Sequence, residues 1–311
     1  MKKIAVTGAA GFIGFHLIKA LRALNYKVVA FDNFNDYYDP LLKKARCEQL
    51  DIPVEKIDLT DQSALEDFLK AHRPEIVINL AAQAGVRYCM THPHTYVDSN
   101  LRGFVNLLEA MRCTGVSRLI YASSSSVYGN QDVPFRESAS TDRPLNLYGA
   151  TKKANETIAY AYHHAWRMEC IGLRFFTVYG PWGRPDMAYY TFTKALYEGS
   201  PITLYNSGLM ERDFTYIDDI IAGIIGALAF PLPFAIFNLG GHVTTTVRDF
   251  LAILEDATGK EAHIVHQPLD RAEMVRTWAD IDTAHKYLGF TPKTNLKEGL
   301  ARFIAWYKEW H

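Results

Sequence analysis

The feature that most constrains the fold is a glycine-rich stretch close to the start of the chain. A short apolar run at residues 4–7 precedes it, and residues 12–24 follow with the apolar spacing of a helix. Gly8 permits a tight turn, Gly11 lets the backbone approach a pyrophosphate at the helix N-terminus, and Gly14 allows close packing of helix on strand. The stretch therefore predicts either a dinucleotide site or a tight turn without a ligand.

Strands and helices alternate through the first 175 residues. Further apolar strands are predicted at 27–31, 54–58, 76–80, 119–122 and 170–175, with helical stretches at about 61–72, 99–113 and 147–167. Strands this apolar are buried on both faces, so the pattern predicts a parallel sheet between two layers of helices. After Pro181 frequent prolines shorten the elements, which predicts a smaller unit with helices near 189–198, 217–229, 246–257 and 296–309.

Charge and cysteine usage exclude several classes of function. Lys and Arg number 33 and Asp and Glu 34, so the chain lacks the positive field that holds nucleic acid or an anionic membrane. The cysteines show no CxxC spacing, and the histidine pairs lack further ligands, so no metal site or disulfide framework is expected. No apolar run reaches the ~18 residues of a membrane-spanning helix, and we expect a soluble, cytoplasmic protein.

An acidic residue follows the predicted second strand. Asp32 stands about 20 residues after the glycine turn, where a carboxylate can bind the adenosine ribose hydroxyls and repel a 2′-phosphate. This position favours NAD over NADP as the cofactor.

A tyrosine and a lysine four residues apart form the second constellation. Tyr148 and Lys152 share one helix face, and an ammonium group nearby lowers the pKa of a phenol by stabilising the phenolate. A serine from the run at 123–126, just after a strand, can bind the same substrate alcohol through its hydroxyl group. The alternative is a helix with one exposed lysine and one core tyrosine.

Taken in order, these motifs resemble the extended short-chain dehydrogenase/reductase family, in particular its nucleotide-sugar epimerases and dehydratases. The resemblance implies a Rossmann-type doubly wound parallel sheet that holds NAD, over residues 1–175, and a smaller substrate-binding domain over 176–311, with part of 212–241 returning to the first. It makes Ser124, Tyr148 and Lys152 the catalytic residues. The cofactor neighbourhood then comprises Gly8, Gly11, Phe12, Ile13, Gly14, Asp32, Asn33, Asp58, Leu59, Leu80, Ala81 and Ala82, together with Tyr148 and Lys152.

Within the family, the segments 32–40, 83–87 and 174–187 look most like those of UDP-glucuronate 4-epimerases. By that resemblance Thr177 and Arg184 hold the sugar carboxylate and Arg212 binds the nucleotide, which suits the bidentate chemistry of arginine. Further candidates for binding the substrate are Gln83, Arg87, Ser125, Ser126 and Arg276. Whether Arg271 binds the substrate is left open.

Serine at positions 125 and 126 separates the chain from relatives with other reactions. In this register, dehydrating relatives carry Asp and Glu there, and decarboxylating relatives carry Glu at 126. The resemblance thus implies 4-epimerisation of UDP-glucuronate by a homodimer with a nucleotide sugar as its small-molecule partner. A 4-epimerase of UDP-glucose or UDP-N-acetylglucosamine, a UDP-glucuronate decarboxylase and a non-catalytic NAD-binding sensor remain the alternatives.

Overall fold

A parallel sheet forms the centre of the protein, as shown by a computed structural model that describes residues 2–269 and 273–311. The strands are β1 Lys3–Thr7, β2 Lys27–Asp32, β3 Val54–Lys56, β4 Ile76–Asn79, β5 Arg118–Ser124, β6 Glu169–Phe175, β7 Thr177–Tyr179, β8 Ile202–Tyr205, β9 Glu211–Tyr216, β10 Phe234–Leu239, β11 Thr244–Thr246 and β12 Ile264–Gln267. The helices are α1 Phe12–Ala23, α2 Pro40–Glu48, α3 Gln62–His72, α4 Tyr88–Thr91, α5 Pro93–Tyr96, α6 Gly103–Thr114, α7 Leu147–Trp166, α8 Ala188–Glu198, α9 Ile217–Leu228, α10 Val247–Thr258, α11 Asp282–Leu288 and α12 Leu296–Trp310.

The central sheet has the strand order β10-β6-β5-β4-β1-β2-β3, and every neighbouring pair in it is parallel. Alternate side chains of its strands enter different apolar clusters: Ile4 and Val6 belong to one, and Ala5 to the other. Helix α1 packs with α9, and α3 packs with α6. Both faces are therefore buried, which confirms the predicted doubly wound α/β fold.

The later part of the chain contributes to more than one sheet. Strand β10 pairs with β6 and extends the central sheet, whereas β11, β9 and β7 form a second sheet and β12 pairs with β8. The predicted helices near 189–198, 217–229, 246–257 and 296–309 correspond to α8, α9, α10 and α12. The division into two domains at residue 175 stays a prediction. Within residues 2–269 and 273–311, none of the helices is both long and apolar enough to cross a bilayer.

A fully buried arginine joins the glycine-rich turn to the segment that follows β7. Arg46, on α2, has no measurable solvent exposure. Its Nη1 donates to the Ala10 carbonyl oxygen at 2.9 Å and to the Tyr38 hydroxyl at 2.7 Å. Its Nε and Nη2 donate to the Trp182 carbonyl oxygen at 3.1 and 2.6 Å, and Nη2 also donates to that of Gly183 at 3.2 Å. One guanidinium thus links residues that are more than 170 positions apart in the chain.

Aromatic packing secures the same junction. Trp182 adopts a left-handed backbone conformation, with φ of 61°, and its ring packs against Phe15 and Trp306 at centroid distances of 5.6 and 5.3 Å. Nearby, the Nε2 atom of His16 hydrogen-bonds the Pro181 carbonyl oxygen at 2.9 Å. The segment 181–183 is thereby fastened to the first helix.

We expect Arg46→Met to lower the free energy of unfolding by about 3 kcal/mol, because it leaves buried carbonyl groups without a donor. Arg22→Met is the matched control, since Arg22 pairs with Asp51 on the surface at 2.8 Å and exposed pairs contribute less than about 1 kcal/mol. Equilibrium urea unfolding measures both values. Equal losses in the two variants would contradict a structural role for the buried guanidinium.

Candidate functional site

A cavity of about 910 Å³ opens at the carboxyl ends of the central strands, between the glycine-rich turn and the loops of the later segments. It is lined by these sequence-predicted site residues: Gly8, Gly11, Phe12, Ile13, Gly14, Asp32, Asn33, Asp58, Leu59, Leu80, Ala81, Ala82, Gln83, Arg87, Ser124, Ser125, Ser126, Tyr148, Lys152, Thr177, Arg184 and Arg212. Arg276 is not among the lining residues, and its side chain pairs with Glu211. Arg271 lies outside the described residues.

The glycines of the turn are required by close backbone contacts. A Cβ atom on Gly8 would lie 2.7 Å from the Ala81 nitrogen, and one on Gly14 would overlap the Gly8 carbonyl oxygen. Gly8 also has a φ of +67°, which side chains with a Cβ rarely adopt. Gly11 begins helix α1, and no side chain in the described part of the chain caps it. The first-turn N–H groups are therefore free to bind a phosphate, and the turn fits a dinucleotide.

Two carboxylates lie beside this turn. The Oδ2 atom of Asp32 accepts from the Ala10 nitrogen at 3.1 Å, and Oδ1 accepts from the Phe34 nitrogen at 2.8 Å. Asp58 accepts from the Asn33 amide at 2.8 Å. Burial raises the pKa of Asp58, but hydrogen bonds from Asn33 and Thr60 outweigh it and leave the pKa below its usual range. Both side chains are oriented acceptors, and Asp32 stands at the end of β2, where a carboxylate can accept from the hydroxyls of a ribose.

A serine and a tyrosine meet on the opposite wall. Ser124 ends β5, and Tyr148 lies in the first turn of α7, whose N-cap Asn146 accepts from the Gly149 nitrogen at 2.9 Å. Burial raises the pKa of the Tyr148 phenol, whereas its hydrogen bond with Ser124 and the charge of Arg184 lower it. Burial is the largest of these effects, so the pKa of Tyr148 is raised overall, and Arg184 reduces that shift without reversing it.

Lys152 lies one helical turn after Tyr148 and is almost fully buried. Its Nζ donates to the Ala122 carbonyl oxygen at 2.7 Å. Burial lowers the pKa of Lys152 to about 8, and the charge of Glu156 opposes that shift. Glu156 is itself buried and accepts from the Ser123 hydroxyl at 2.6 Å and from Arg174 at 2.8 Å through each oxygen. A network under the site thus supports the ammonium group.

Arg184, whose charge acts on the Tyr148 phenol, forms a two-bonded ion pair with Asp186. Its Nε lies 3.0 Å from Asp186 Oδ1 and its Nη2 donates to Oδ2, which also accepts from the Tyr37 hydroxyl at 3.0 Å. Burial disfavours the charged guanidinium, but Asp186 raises the pKa of Arg184 well above its usual value. One edge of the guanidinium is thereby anchored, and within residues 2–269 and 273–311 no hydrogen bond of Arg184 uses Nη1. Thr177, the first residue of β7, lines the same cavity.

Two further arginines, Arg87 and Arg212, share one carboxylate, that of Glu273. The Nε atom of Arg87 lies 3.2 Å from Glu273 Oε1, and Nη2 of Arg212 lies 3.0 Å from Oε2. Burial lowers the pKa of Arg212, and Glu273 opposes the shift. Arg87 also lies over the Tyr205 ring, 4.3 Å from its centroid. The structure thus brings the predicted Arg87 and Arg212 together.

Four residues of the site were not identified from the sequence. Asp186 and Tyr37 lie in segments that carry the family resemblance, but their pairing with Arg184 joins distant parts of the chain. Glu156 is four residues after Lys152, a spacing that puts both on one helix face and that offered a usable signal. Nothing in the local sequence distinguishes Glu273 from an exposed glutamate.

Comparisons with known proteins agree with this geometry. The sequence profile of the NAD dependent epimerase/dehydratase family matches residues 4–240. UDP-glucuronate 4-epimerase 4 of Arabidopsis thaliana is 44% identical to the chain, over 99% of this chain and 76% of that protein.

Solved structures show the same likeness. The UDP-glucuronic acid 4-epimerase of Bacillus cereus in complex with UDP-glucuronic acid and NAD superposes with a TM-score of 0.94, at 34% identity over 99% of this chain and 100% of that one. UDP-glucose 4-epimerase of Thermus thermophilus, solved with NAD, gives 0.90 at 28% identity over 98% and 99%. The resemblance predicted from the motifs is confirmed, and the chain belongs to the NAD-dependent epimerase/dehydratase family.

Proposed function

We propose that this protein catalyses the NAD-dependent 4-epimerisation of UDP-glucuronate to UDP-galacturonate, through a transient 4-keto sugar and with no net oxidation. The observation that carries the proposal is one cavity that contains Ser124, Tyr148 and Lys152 at one end and Arg184 beside them. The curated relatives and solved structures named above support the same activity.

The glycine-rich turn and its neighbours would hold the cofactor. The N–H groups at the start of α1 suit the pyrophosphate, and Asp32 suits the ribose hydroxyls. By the family resemblance, Asp58 belongs to the adenine and pyrophosphate neighbourhood. Bound NAD supplies a reversible hydride acceptor for the sugar C4 position. A carboxylate at Asp32 also disfavours the 2′-phosphate of NADP.

Tyr148 is the base in this proposal. As phenolate it takes the proton from the sugar 4-hydroxyl, while Ser124 orients that oxygen and Lys152 favours the ionised phenol. The same groups return the proton after the 4-keto sugar has turned within the cavity and exposed its other face. Glu156 supports the reaction indirectly, since its charge opposes the loss of the Lys152 proton.

Arg184 and Thr177 determine the preference for an acidic sugar. A 4-keto uronate is a β-keto acid and loses carbon dioxide readily, so an epimerase must hold the carboxylate where its C–C bond is poorly aligned with the carbonyl. An arginine already anchored by Asp186 offers its remaining donors in a fixed direction. Ser125 and Ser126 line the cavity without adding a carboxylic acid that would assist decarboxylation or dehydration.

We further propose that the chain forms a homodimer and acts in the cytoplasm. Large apolar side chains are exposed on α7, where Tyr160 and Trp166 are 56% and 50% accessible, and on the segment before α6, at Met90 and Val97. These side chains are covered when the same helices of a second copy pack against them. Sedimentation at equilibrium distinguishes monomer from dimer.

The cysteines within the described residues are free thiols, which suits a reducing compartment such as the cytoplasm.

Incubation with UDP-glucuronate and no added reductant tests the activity directly. NMR of the sugar is expected to show UDP-galacturonate accumulating to an equilibrium with the substrate, without net change in NADH absorbance. UDP-xylose with carbon dioxide would indicate the decarboxylase instead. Turnover of UDP-glucose or UDP-N-acetylglucosamine in preference to UDP-glucuronate would favour a neutral-sugar epimerase, and an unchanged substrate would favour a sensor.

Tyr148→Phe is expected to lower kcat by about 10³-fold or more, because it removes the proton acceptor while preserving the ring. NAD content of the purified variant should match that of the unaltered protein. Tyr160→Phe is the matched control, since Tyr160 lies on the same helix but is exposed and outside the cavity lining. A near-normal rate for Tyr148→Phe would refute the assignment of the base.

Arg184→Leu is expected to lower kcat/KM for UDP-glucuronate by about 10²-fold, which is the loss of a charge-assisted contact of about 3 kcal/mol. Turnover of UDP-glucose should fall much less, so the ratio of the two substrates is the quantity to measure. Arg136→Leu removes an exposed arginine outside the cavity lining and is expected to leave the ratio unchanged. An equal loss on both sugars would remove Arg184 from carboxylate recognition.

A further inference from the structure

The hydroxyl of Tyr37 lies where three separate segments of the cavity lining meet. Tyr37 stands between β2 and α2, and its hydroxyl donates to Asp186 Oδ2 at 3.0 Å, on the segment between β7 and α8. On the segment after β4, a Cβ atom on Gly85 would lie only 2.6 Å from the same hydroxyl. Gly85 also has a φ of +106°, which residues with a side chain rarely adopt. Glycine at this position therefore leaves the space in which Tyr37 reaches Asp186.

Packing and hydrogen bonds fix Tyr37 in this place. Its ring meets that of Tyr88 edge-on, at a centroid distance of 4.8 Å. Two positions before Tyr37, the carbonyl oxygen and the side-chain Oδ1 of Asn35 accept from Nζ of Lys43 at 2.7 and 2.8 Å. Lys43 is buried, so these contacts are shielded from water. The backbone and the ring together therefore direct the Tyr37 hydroxyl at Asp186.

One oxygen of Asp186 joins Tyr37 to Arg184. Its Oδ2 accepts from the Tyr37 hydroxyl and from Arg184 Nη2, while Oδ1 accepts from Arg184 Nε. Burial raises the pKa of Asp186, but the charge and hydrogen bonds of Arg184 and the hydrogen bond of Tyr37 outweigh it and hold that pKa below its usual range. Burial and the charge of Asp186 raise the pKa of the Tyr37 phenol, which therefore stays a donor at neutral pH. A carboxylate with two partners in different directions has fewer orientations open to it than a carboxylate with one.

We propose that Tyr37 is a positioning residue for recognition of the acidic sugar: it fixes Asp186, and Asp186 in turn directs Arg184 at the sugar carboxylate. The inference deepens the proposed function and rests on it in taking UDP-glucuronate as the substrate. The contact is charge-assisted, because a neutral phenol donates to a carboxylate. Loss of the hydroxyl leaves Arg184 charged and paired, but it frees Asp186, and with it the guanidinium, to turn. A small misplacement of a group that orients the substrate is enough to change the course of a reaction.

A misdirected carboxylate exposes the 4-keto intermediate to a side reaction. When the C5–C6 bond lies parallel to the π system of the carbonyl, that bond breaks, its electron pair forms the C4–C5 double bond of an enolate, and carbon dioxide leaves. C5 then takes a proton from water, and a UDP-4-keto-pentose results. No further oxidant is needed, because the C4 hydride has already passed to bound NAD in the epimerisation itself. The direction of Arg184 therefore decides between a uronate product and a pentose product.

Tyr37→Phe, assayed with UDP-glucuronate that carries an isotopic label in its carboxyl group, tests the proposal. Loss of a hydrogen bond to a charged group is expected to lower kcat/KM for UDP-glucuronate by about tenfold. The labelled carbon dioxide released per UDP-galacturonate formed should rise by about tenfold, whereas kcat/KM for UDP-glucose, which has no carboxylate, should stay within about twofold. Tyr160→Phe is the matched control, because it removes the same atom from an exposed tyrosine outside the cavity lining, and it is expected to leave all three quantities unchanged.

Two results would overturn the role of Tyr37. Equal losses on UDP-glucuronate and UDP-glucose, with an unchanged yield of carbon dioxide, mean that Tyr37 only stabilises the cavity wall. Unaltered kinetics on both sugars mean that its hydroxyl does not act on Arg184. Asp186→Asn keeps the shape of that side chain but removes its charge, and it is expected to raise the yield of carbon dioxide in the same way. It decides the question should thermal melting show that Tyr37→Phe folds poorly, and an unchanged yield then contradicts the proposal.

Calorimetry separates this role from the proposed function. In NAD-loaded protein that carries Tyr148→Phe and so binds nucleotide sugars without turnover, the addition of Tyr37→Phe is expected to raise the Kd for UDP-glucuronate about tenfold and that for UDP-glucose less than about twofold. An unaltered protein that binds UDP-glucuronate but does not epimerise it contradicts the proposed function alone, and the two Kd values still decide the role of Tyr37. Failure of the unaltered protein to bind UDP-glucuronate contradicts both.

Discussion

The buried guanidinium of Arg46 is the contact on which the arrangement of the site depends. A charged group in an apolar interior is stable only when its donors are satisfied, and Arg46 uses carbonyl oxygens from both sides of the cavity for that purpose. Ala10 belongs to the cofactor turn, and Gly183 directly precedes Arg184. The Arg46 guanidinium therefore joins the glycine-rich turn to the segment just before Arg184, at the same junction that Trp182 and His16 secure.

Electrostatic compensation repeats throughout the site. Burial lowers the pKa of Lys152 to about 8, and the charge of the buried Glu156 carboxylate opposes that shift. Glu156 in turn forms an ion pair with Arg174, which stabilises the charge of its carboxylate. Each of these buried ionised groups thus lies near a group of opposite charge. Such compensation allows the groups to stay charged although they are buried.

The parts of this protein that the sequence predicted are those encoded by local spacing. The glycine turn, the alternating strands and the four-residue spacing of Tyr148 and Lys152 each need only a few neighbouring positions. Arg46 and Glu273 were missed because Arg46 donates to Trp182, 136 residues away, and Glu273 pairs with Arg212, 61 residues away. Nothing near either residue in the chain marks these pairings. The role of Arg276 as a further substrate candidate stays a prediction, and its side chain pairs with Glu211 in the structure.

The near-balance of charge in the composition has a counterpart inside the cavity. Arg184 is paired with Asp186, while Arg87 and Arg212 share Glu273, so three cations meet two carboxylates at the substrate end. Among these five side chains one positive charge is left in excess, which suits the anionic nucleotide sugar of the proposed function. The excess charge lies in the cavity lining, so it does not require the extended basic surface that would also attract polyanions.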